Sequence, residues 1–258
     1  MRRASVLLLA LAVLAVPGVG RAQTLLDQEQ RLIEIHSLLL DLPPMQSPAA
    51  LASGAVGLSL EVVTIPPIDG TTGDKVQITA HDRTVLYPRP RLMVGLPAPE
   101  GFRTFVGLSY IPPFEIRGVS TNYFAGEAGF GYAPRDRQLG FGLRLHGVAA
   151  NSRSPVTDPA TRDELETRLW GGDVSIGTRI SFSSFTLEPY GGGGFVSLRG
   201  RFRVTSDGNV IESTYAGAAL QAGVRLLYRA RWEGVAELDA YPQRLIHVNV
   251  RLGYVFGG

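Results

Sequence analysis

Residues 246–256 read Ile246-His247-Val248-Asn249-Val250-Arg251-Leu252-Gly253-Tyr254-Val255-Phe256, and this stretch decides the fold. Ile246, Val248, Val250, Leu252, Tyr254 and Phe256 share one parity, whereas His247, Asn249, Arg251 and Gly253 share the other. Side chains on a strand alternate between faces, so this is a strand with one apolar and one polar side.

The same period of two returns in segment after segment from Ala55 onward. Ala236, Leu238 and Ala240 oppose Glu233, Glu237 and Asp239; Ala218, Leu220, Ala222, Val224 and Leu226 oppose Gln221 and Arg225. Val196, Leu198, Phe202 and Val204 oppose Arg199, Arg201 and Arg203, while Trp170, Val174, Ile176 and Ile180 oppose Asp173, Ser175 and Arg179. Phe141, Leu143 and Leu145 oppose Arg144 and His146, and weaker alternation marks Phe124–Tyr132, Phe102–Tyr110, Arg91–Leu96 and Val56–Val62. With Phe185–Tyr190 running through Gly191–Gly194 into Phe195–Val204, the count is ten strands, and Val76, Ile78 and Ala80 could raise it. Phe185 and Leu187 are odd-numbered but Val196 and Leu198 even, so the glycines are expected to form a bend or bulge. They resemble a phosphate loop only in composition, because no Lys-Ser/Thr pair follows.

Short connections at Pro97–Gly101, Pro134–Gln138, Ser181–Ser184 and Arg229–Arg231 alternate with longer ones at Pro66–Arg89, Pro112–Asn122, Asn151–Thr167 and Thr205–Ser213. Short turns on one side and long loops on the other fit a bacterial transmembrane barrel with its turns toward the periplasm. The hairpin at Pro242-Gln243 is short where a long loop is expected. A soluble barrel would show the same period with its apolar face inward. Aromatics at strand ends favour the membrane: Phe102, Tyr132, Phe141, Phe185, Tyr228, Trp232, Tyr254 and Phe256 on one side, and Tyr110, Phe124, Trp170, Phe202 and Tyr215 on the other, resemble two interfacial girdles.

The segment before the strands has a different character. Arg2 and Arg3, the apolar run Ala4–Val16, Pro17-Gly18 and the small residues of Gly20-Arg21-Ala22 form a secretory signal, cleaved after Ala22 and too short to span a membrane. Taking Arg2, Arg3 and Arg21 from the 25 basic residues, and no acid from the 23, leaves 22 against 23 and removes the basic excess that nucleic-acid binding requires. The absence of cysteine excludes disulfides, thiolate metal sites and cysteine nucleophiles. Three regions are expected: 1–22, a signal peptide; 23–54, an N-terminal helix and proline-containing linker; and 55–258, the barrel. The helix follows from Leu25, Leu26, Leu32, Ile33, Ile35, Leu38 and Leu39 among Asp27, Gln28, Glu29, Gln30 and Glu34, ended by Pro43-Pro44. It would rest on the domain or a membrane surface; a plug inside the barrel or a docking helix are the alternatives.

Residues 55–258 resemble the outer-membrane β-barrel family of Gram-negative bacteria, including its small porin-like members. The last strand is similar to that family's C-terminal assembly signal, with Phe256 as terminal aromatic after Val248, Val250, Leu252 and Tyr254, although Gly257 and Gly258 follow it. The resemblance implies an all-β, antiparallel transmembrane barrel in the outer membrane, with outer-membrane lipid and the barrel-assembly machinery as partners. It does not select a function.

A ten-stranded barrel has little interior space. Its polar face would place Arg91, Arg144, Arg179, Arg199, Arg201, Arg225 and Arg251 against Glu61, Glu127, Asp173, Glu188, Glu237 and Asp239. Unpaired charges there are costly, so an ion-paired, largely plugged lumen is expected. The alternative is a small anion-preferring channel or solute-binding barrel, for which Arg199, Arg201 and Arg203 are the best residues because no acid lies within their own stretch. A lipid-modifying or proteolytic barrel enzyme needs a nucleophile or activated water beside a base. His81 in the longest loop, His146 and His247 are the available bases, but none identifies a nucleophile, and His36 lies in the helix. The expectation is therefore a non-enzymatic barrel without cofactor or metal, contacting other envelope or surface proteins through its loops and N-terminal helix, with no nucleic-acid partner.

Overall fold

The structure is a computed structural model that describes residues 25–48, 51–65, 85–133, 139–156 and 160–257. The expected signal peptide, the alternation at Val76–Ala80, His81 and the expected turn Pro134–Gln138 lie outside the described residues. Among the described residues one helix, α1 (Leu25–Leu38), precedes eleven strands: β1 (Val56–Ile65), β2 (Val85–Leu96), β3 (Phe102–Ile116), β4 (Val119–Tyr132), β5 (Leu139–Ser154), β6 (Asp163–Thr178), β7 (Ile180–Ser181), β8 (Phe185–Arg203), β9 (Val210–Tyr228), β10 (Trp232–Tyr241) and β11 (Leu245–Phe256). β7 has two residues and continues the line of β6 along β8, so ten long strands form the wall. Each pairs antiparallel with its neighbours, and the sheet closes through β1–β11 and β6–β8.

The sidedness of the strands is that of a membrane barrel. In β11 the apolar parity faces out, with Val248 66% and Leu252 68% exposed, while Arg251 is 1% exposed on the inside. Leu60, Leu108, Leu143, Val174, Leu220 and Leu238 continue the exposed belt around the ring. Water would penalise so large a contiguous apolar surface, whereas hydrocarbon does not. Aromatic clusters sit at the end carrying the short turns: Phe102 with Phe130 and Tyr132, Phe182 with Phe185, and Trp232 with Tyr254. Toward the opposite, loop end stand Tyr110, Phe124 and Trp170, joined by Phe195. Phe202 and Tyr215 depart from the expected girdle, because their positions face the interior.

The wall is uneven in height. β1 and β10 have 10 residues each, about what a tilted strand needs to cross a membrane. β8 and β9 have 19 each and β5 and β6 have 16, so this side projects beyond the apolar belt at the loop end.

Several connections are shorter than the sequence suggests. β3 and β4 continue through the expected loop 112–122 and meet at a two-residue turn, where Arg117 and Gly118 take φ of 51° and 83°. Pro112 and Pro113 are absorbed by a register shift between Ile111 and Phe114. β5 and β6 likewise consume both ends of the expected loop 151–167. β2 begins at Val85, within the expected loop 66–89; it pairs with β1 from Val85 to Val94 but with β3 only from Arg91 to Leu96, because Pro88 and Pro90 have no N–H to donate. Nor does a bulge form at Gly191–Gly194, since β8 holds one register with β6 and β9 throughout. Gly192 and Gly194 instead permit close approach of β6, whose Val174 and Gly172 carbonyls occupy the places of their missing side chains.

Candidate functional site

The interior is the candidate site, and the N-terminal segment occupies it. From α1 the chain continues through 39–48, every residue of 33–48 being buried. One short piece of this segment touches strands on several sides of the ring, which is possible only from within. The Asp41 carbonyl accepts from Arg89 of β2 at 2.8 Å, and the Leu42 carbonyl from Arg144 of β5 at 2.9 Å. The Met45 amide donates to Glu237 of β10 at 3.0 Å, and the Ser47 hydroxyl donates to Glu188 of β8 at 2.6 Å. The helix ends at Leu38, before the prolines, and Pro43 and Pro44 expose two consecutive carbonyls that Arg91 takes at 3.1 Å each. The segment therefore runs from the loop end, where Arg31 donates to the Gln243 carbonyl, toward the turn end, where Pro48 packs against Gly177.

The interior has two zones. In the loop-end zone α1 packs on the inner face of the tall β6–β8–β9 wall. Ile33 joins Leu165, Phe202, Val204 and Val156 in one apolar cluster, and Leu38 joins Leu169, Val196 and Leu198 in another. Gly200 has no side chain because Ile33 and Ser37 of the helix occupy its place. Glu34 receives the Ser213 hydroxyl at 2.8 Å and Arg244 at 2.7 Å. This placement puts α1 inside the barrel rather than on a domain or membrane surface.

In the central and turn-end zone the contacts are ionic. Arg91 makes a two-pronged contact with Glu127 at 2.7 and 2.5 Å and reaches Glu61 at 2.6 Å. Glu61 also receives Arg89 at 2.6 Å, and Glu127 receives Arg144 at 3.2 Å; Arg144 goes on to Asp173 at 2.7 Å. A second cluster nearer the turns links Arg179, Glu188, Arg225, Glu233 and Arg251 through contacts of 2.6–2.9 Å. Fork-shaped guanidinium groups suit this bridging because each can hold two carboxylates in fixed geometry.

Of the residues assigned to the interior from sequence, Glu61, Arg91, Glu127, Arg144, Asp173, Glu188, Arg225, Glu237, Asp239 and Arg251 are buried there. Arg179 sits at the rim, its side chain 43% exposed, and still holds Glu188. Glu237 and Asp239 are held by neutral donors: Tyr190 hydroxyl and Met45 amide on the first, Asn249 amide on the second, at 2.6–3.0 Å. Arg199 and Arg201 stand on the outer wall, correcting their placement in the lumen. Their strand turns its apolar parity inward against α1, so the arginines face out and pair with Glu212 of β9 at 2.9 and 3.6 Å. The hydrogen bond and charge of Arg199 hold the Glu212 carboxyl below the usual carboxylate range.

Sequence reasoning missed Arg89 and Asp41 as interior residues, and it left Glu233 out of the interior charges although it placed that residue on the polar face of its strand. Arg89 has the parity of Arg91 but stands between Pro88 and Pro90, and Glu233 has the parity of Glu237. Asp41 carried no periodic signal, yet it gathers His146 at 2.9 Å, the Tyr241 hydroxyl at 2.6 Å and the Leu42 amide at 2.7 Å. His247 stacks on Tyr241 with ring centroids 6.0 Å apart and meets Asn249 at 3.1 Å. Among the described residues no group of three or more His, Asp or Glu is placed to hold a metal ion.

No protein-family model matches the chain, and no curated protein matches it. Solved structures with similar chain paths include the translocator domain of the autotransporter NalP from Neisseria meningitidis, at 12% identity and TM-score 0.47, covering 90% of this chain and 95% of that one. Ail, the attachment invasion locus protein of Yersinia pestis, in complex with the heparin analogue sucrose octasulfate, is 10% identical with TM-score 0.36, covering 80% of this chain and 100% of its own. The Pseudomonas putida toluene transporter TodX is 12% identical with TM-score 0.37, at 82% and 70% coverage. On its own geometry, a closed ring of ten antiparallel strands with an apolar exterior and a charged interior, the molecule has the fold of a transmembrane β-barrel.

Proposed function

We propose that this protein is a non-enzymatic structural or interaction component of the outer membrane whose lumen is closed by its own N-terminal segment. The observation that carries the reading is the course of residues 33–48 through the interior, bound by Arg89, Arg91, Arg144, Glu188 and Glu237 from four strands. Guanidinium groups that already hold carboxylates and backbone carbonyls have little capacity left for a passing anion. The channel reading loses its best residues, since Arg199 and Arg201 face outward. An enzymatic reading has less support still, because His146 and His247 are engaged with Asp41 and Asn249.

Planar-bilayer recording of the refolded, unmodified protein tests this. Little steady conductance is expected, and robust anion-selective conductance would overturn the closed lumen. The final strand is proposed to serve as the assembly signal: Phe256→Ala with Tyr254→Ala should reduce heat-modifiable protein in the outer membrane while secretion continues, and an unchanged level counts against that role.

A further inference from the structure

The outer face of the tall wall carries a second charged cluster, separate from the interior. Its rows can be followed through the register of β5, β6, β8 and β9. Leu143, Val174, Gly193 and Leu220 form one outward row, and Leu145, Gly172, Phe195 and Ala218 the next. Gly147, Trp170, Ser197 and Ala216 follow, with Trp170 and Phe195 rings 5.8 Å apart. In the row above, Arg168 and Arg199 are directly opposed across β6 and β8, their side chains 76% and 64% exposed. Like charges in such positions repel, unless an anion lies between them. Glu166, Arg201 and Glu212 form the next row.

These five charged residues line a recess of about 160 Å³. Glu166 holds Arg168 at 3.1 Å and Glu212 holds Arg199 at 2.9 Å, but Arg201 Nε has no hydrogen-bond partner among the described residues and lies 3.6 Å from Glu212. With Arg153, Glu164 and Arg203 one row further on, arginines outnumber glutamates five to three.

We propose that this recess binds the phosphate group of an outer-leaflet glycolipid, whose acyl chains lie on the apolar rows below Trp170; the assignment rests on the membrane placement proposed above. If Val174 and Leu220 lie in hydrocarbon and Trp170 marks the interface, Arg168 and Arg199 stand at headgroup height, where lipid phosphates are found. A phosphate between them would relieve their repulsion and accept charge-assisted hydrogen bonds from both forks. A free anion would use only the arginines, whereas an anchored one uses the apolar rows too.

The protein in detergent micelles is titrated with diphosphoryl lipid A, with dephosphorylated lipid A, and with inorganic phosphate, bound lipid being counted by native mass spectrometry. Diphosphoryl lipid A is expected to bind the unmodified protein about tenfold more tightly than the dephosphorylated lipid does, and about tenfold more tightly than it binds an Arg168→Ala/Arg199→Ala variant. Inorganic phosphate should not displace it. Glu166→Gln with Glu212→Gln should strengthen retention, by removing the competing carboxylates. Equal retention of the two lipids, or equal retention by protein and double variant, would overturn the proposal, and displacement by inorganic phosphate would reassign the recess to a free anion. Heat-modifiable mobility checks that the variant folds; should it not, Arg199→Lys, which keeps the charge but loses the fork, must lower retention for the proposal to stand. Conductance is not part of this readout, so a leaky barrel that retains the lipid contradicts only the closed lumen, and a silent barrel that does not retain it contradicts only the lipid site.

Discussion

Residues 185–195 and 196–203 belong to one strand in one unbroken register, yet they present opposite chemistry. In the first part Glu188 and Tyr190 point inward and Phe195 outward; in the second Val196, Leu198 and Phe202 are buried inside and Arg199 and Arg203 are exposed outside. What changes is the medium on each side. On the proposed membrane placement, the outside below Trp170 is hydrocarbon and the inside is a polar network; above it the outside is aqueous and the inside is the apolar face of α1. Alternation reports that two faces differ, and only their surroundings say which is which.

The most demanding test of this contrast concerns buried against exposed charge. Arg91→Ala should destabilise the barrel by about 3–5 kcal/mol, because Glu61 and Glu127 keep their buried carboxylates and lose a partner. Denaturant titration of refolded protein measures the loss, and a cost below about 1 kcal/mol would mean that the lower interior is wet enough to screen it.

A smaller effect is expected from the strand's inward glycine. Gly200→Leu drives a side chain into Ile33 and Ser37, which should cost about 1–3 kcal/mol and loosen α1. Its outward neighbour provides the contrast: Arg201→Leu should leave α1 in place, as judged by protease resistance of the N-terminal segment. Equal effects at both positions would break the proposed inside–outside assignment of this half of β8.

The smallest effect should come from Arg203→Ala, whose partner Glu164 lies 3.9 Å away at a half-exposed site. A loss of no more than about 1 kcal/mol is expected, shrinking further in high salt. Thermal unfolding at two ionic strengths would resolve it.

The barrel class, the ten long strands and ten of the thirteen charges assigned to the lumen could be read from sequence, because a lipid-facing belt imposes strict alternation on every strand that it covers. Prediction failed where the belt ends. Phe202, Tyr215, Arg199 and Arg201 lie beyond it, and the same parity rule, carried upward without the change of medium, assigned them to the wrong faces. Strand length failed for a related reason: Pro112-Pro113 reads as a loop, but the register shift beside Ile111 admits both residues into the wall. Asp41 was illegible because its importance comes from three groups distant in the chain that converge on it.

The interior course of the N-terminal segment also constrains the order of folding. The ring closes between β1 and β11, where Val56 meets Phe256, so its seam joins the first and last strands of the barrel. Residues 33–48 lie enclosed by that ring and lead through the 53–54 turn into β1. They must therefore be seated before the seam closes or be threaded afterwards through a finished pore. Seating first needs only a sheet still open along one edge, and the guanidinium groups on its concave face would then gather the strands around a template. Closure of so non-local a seam should be the slow step in refolding.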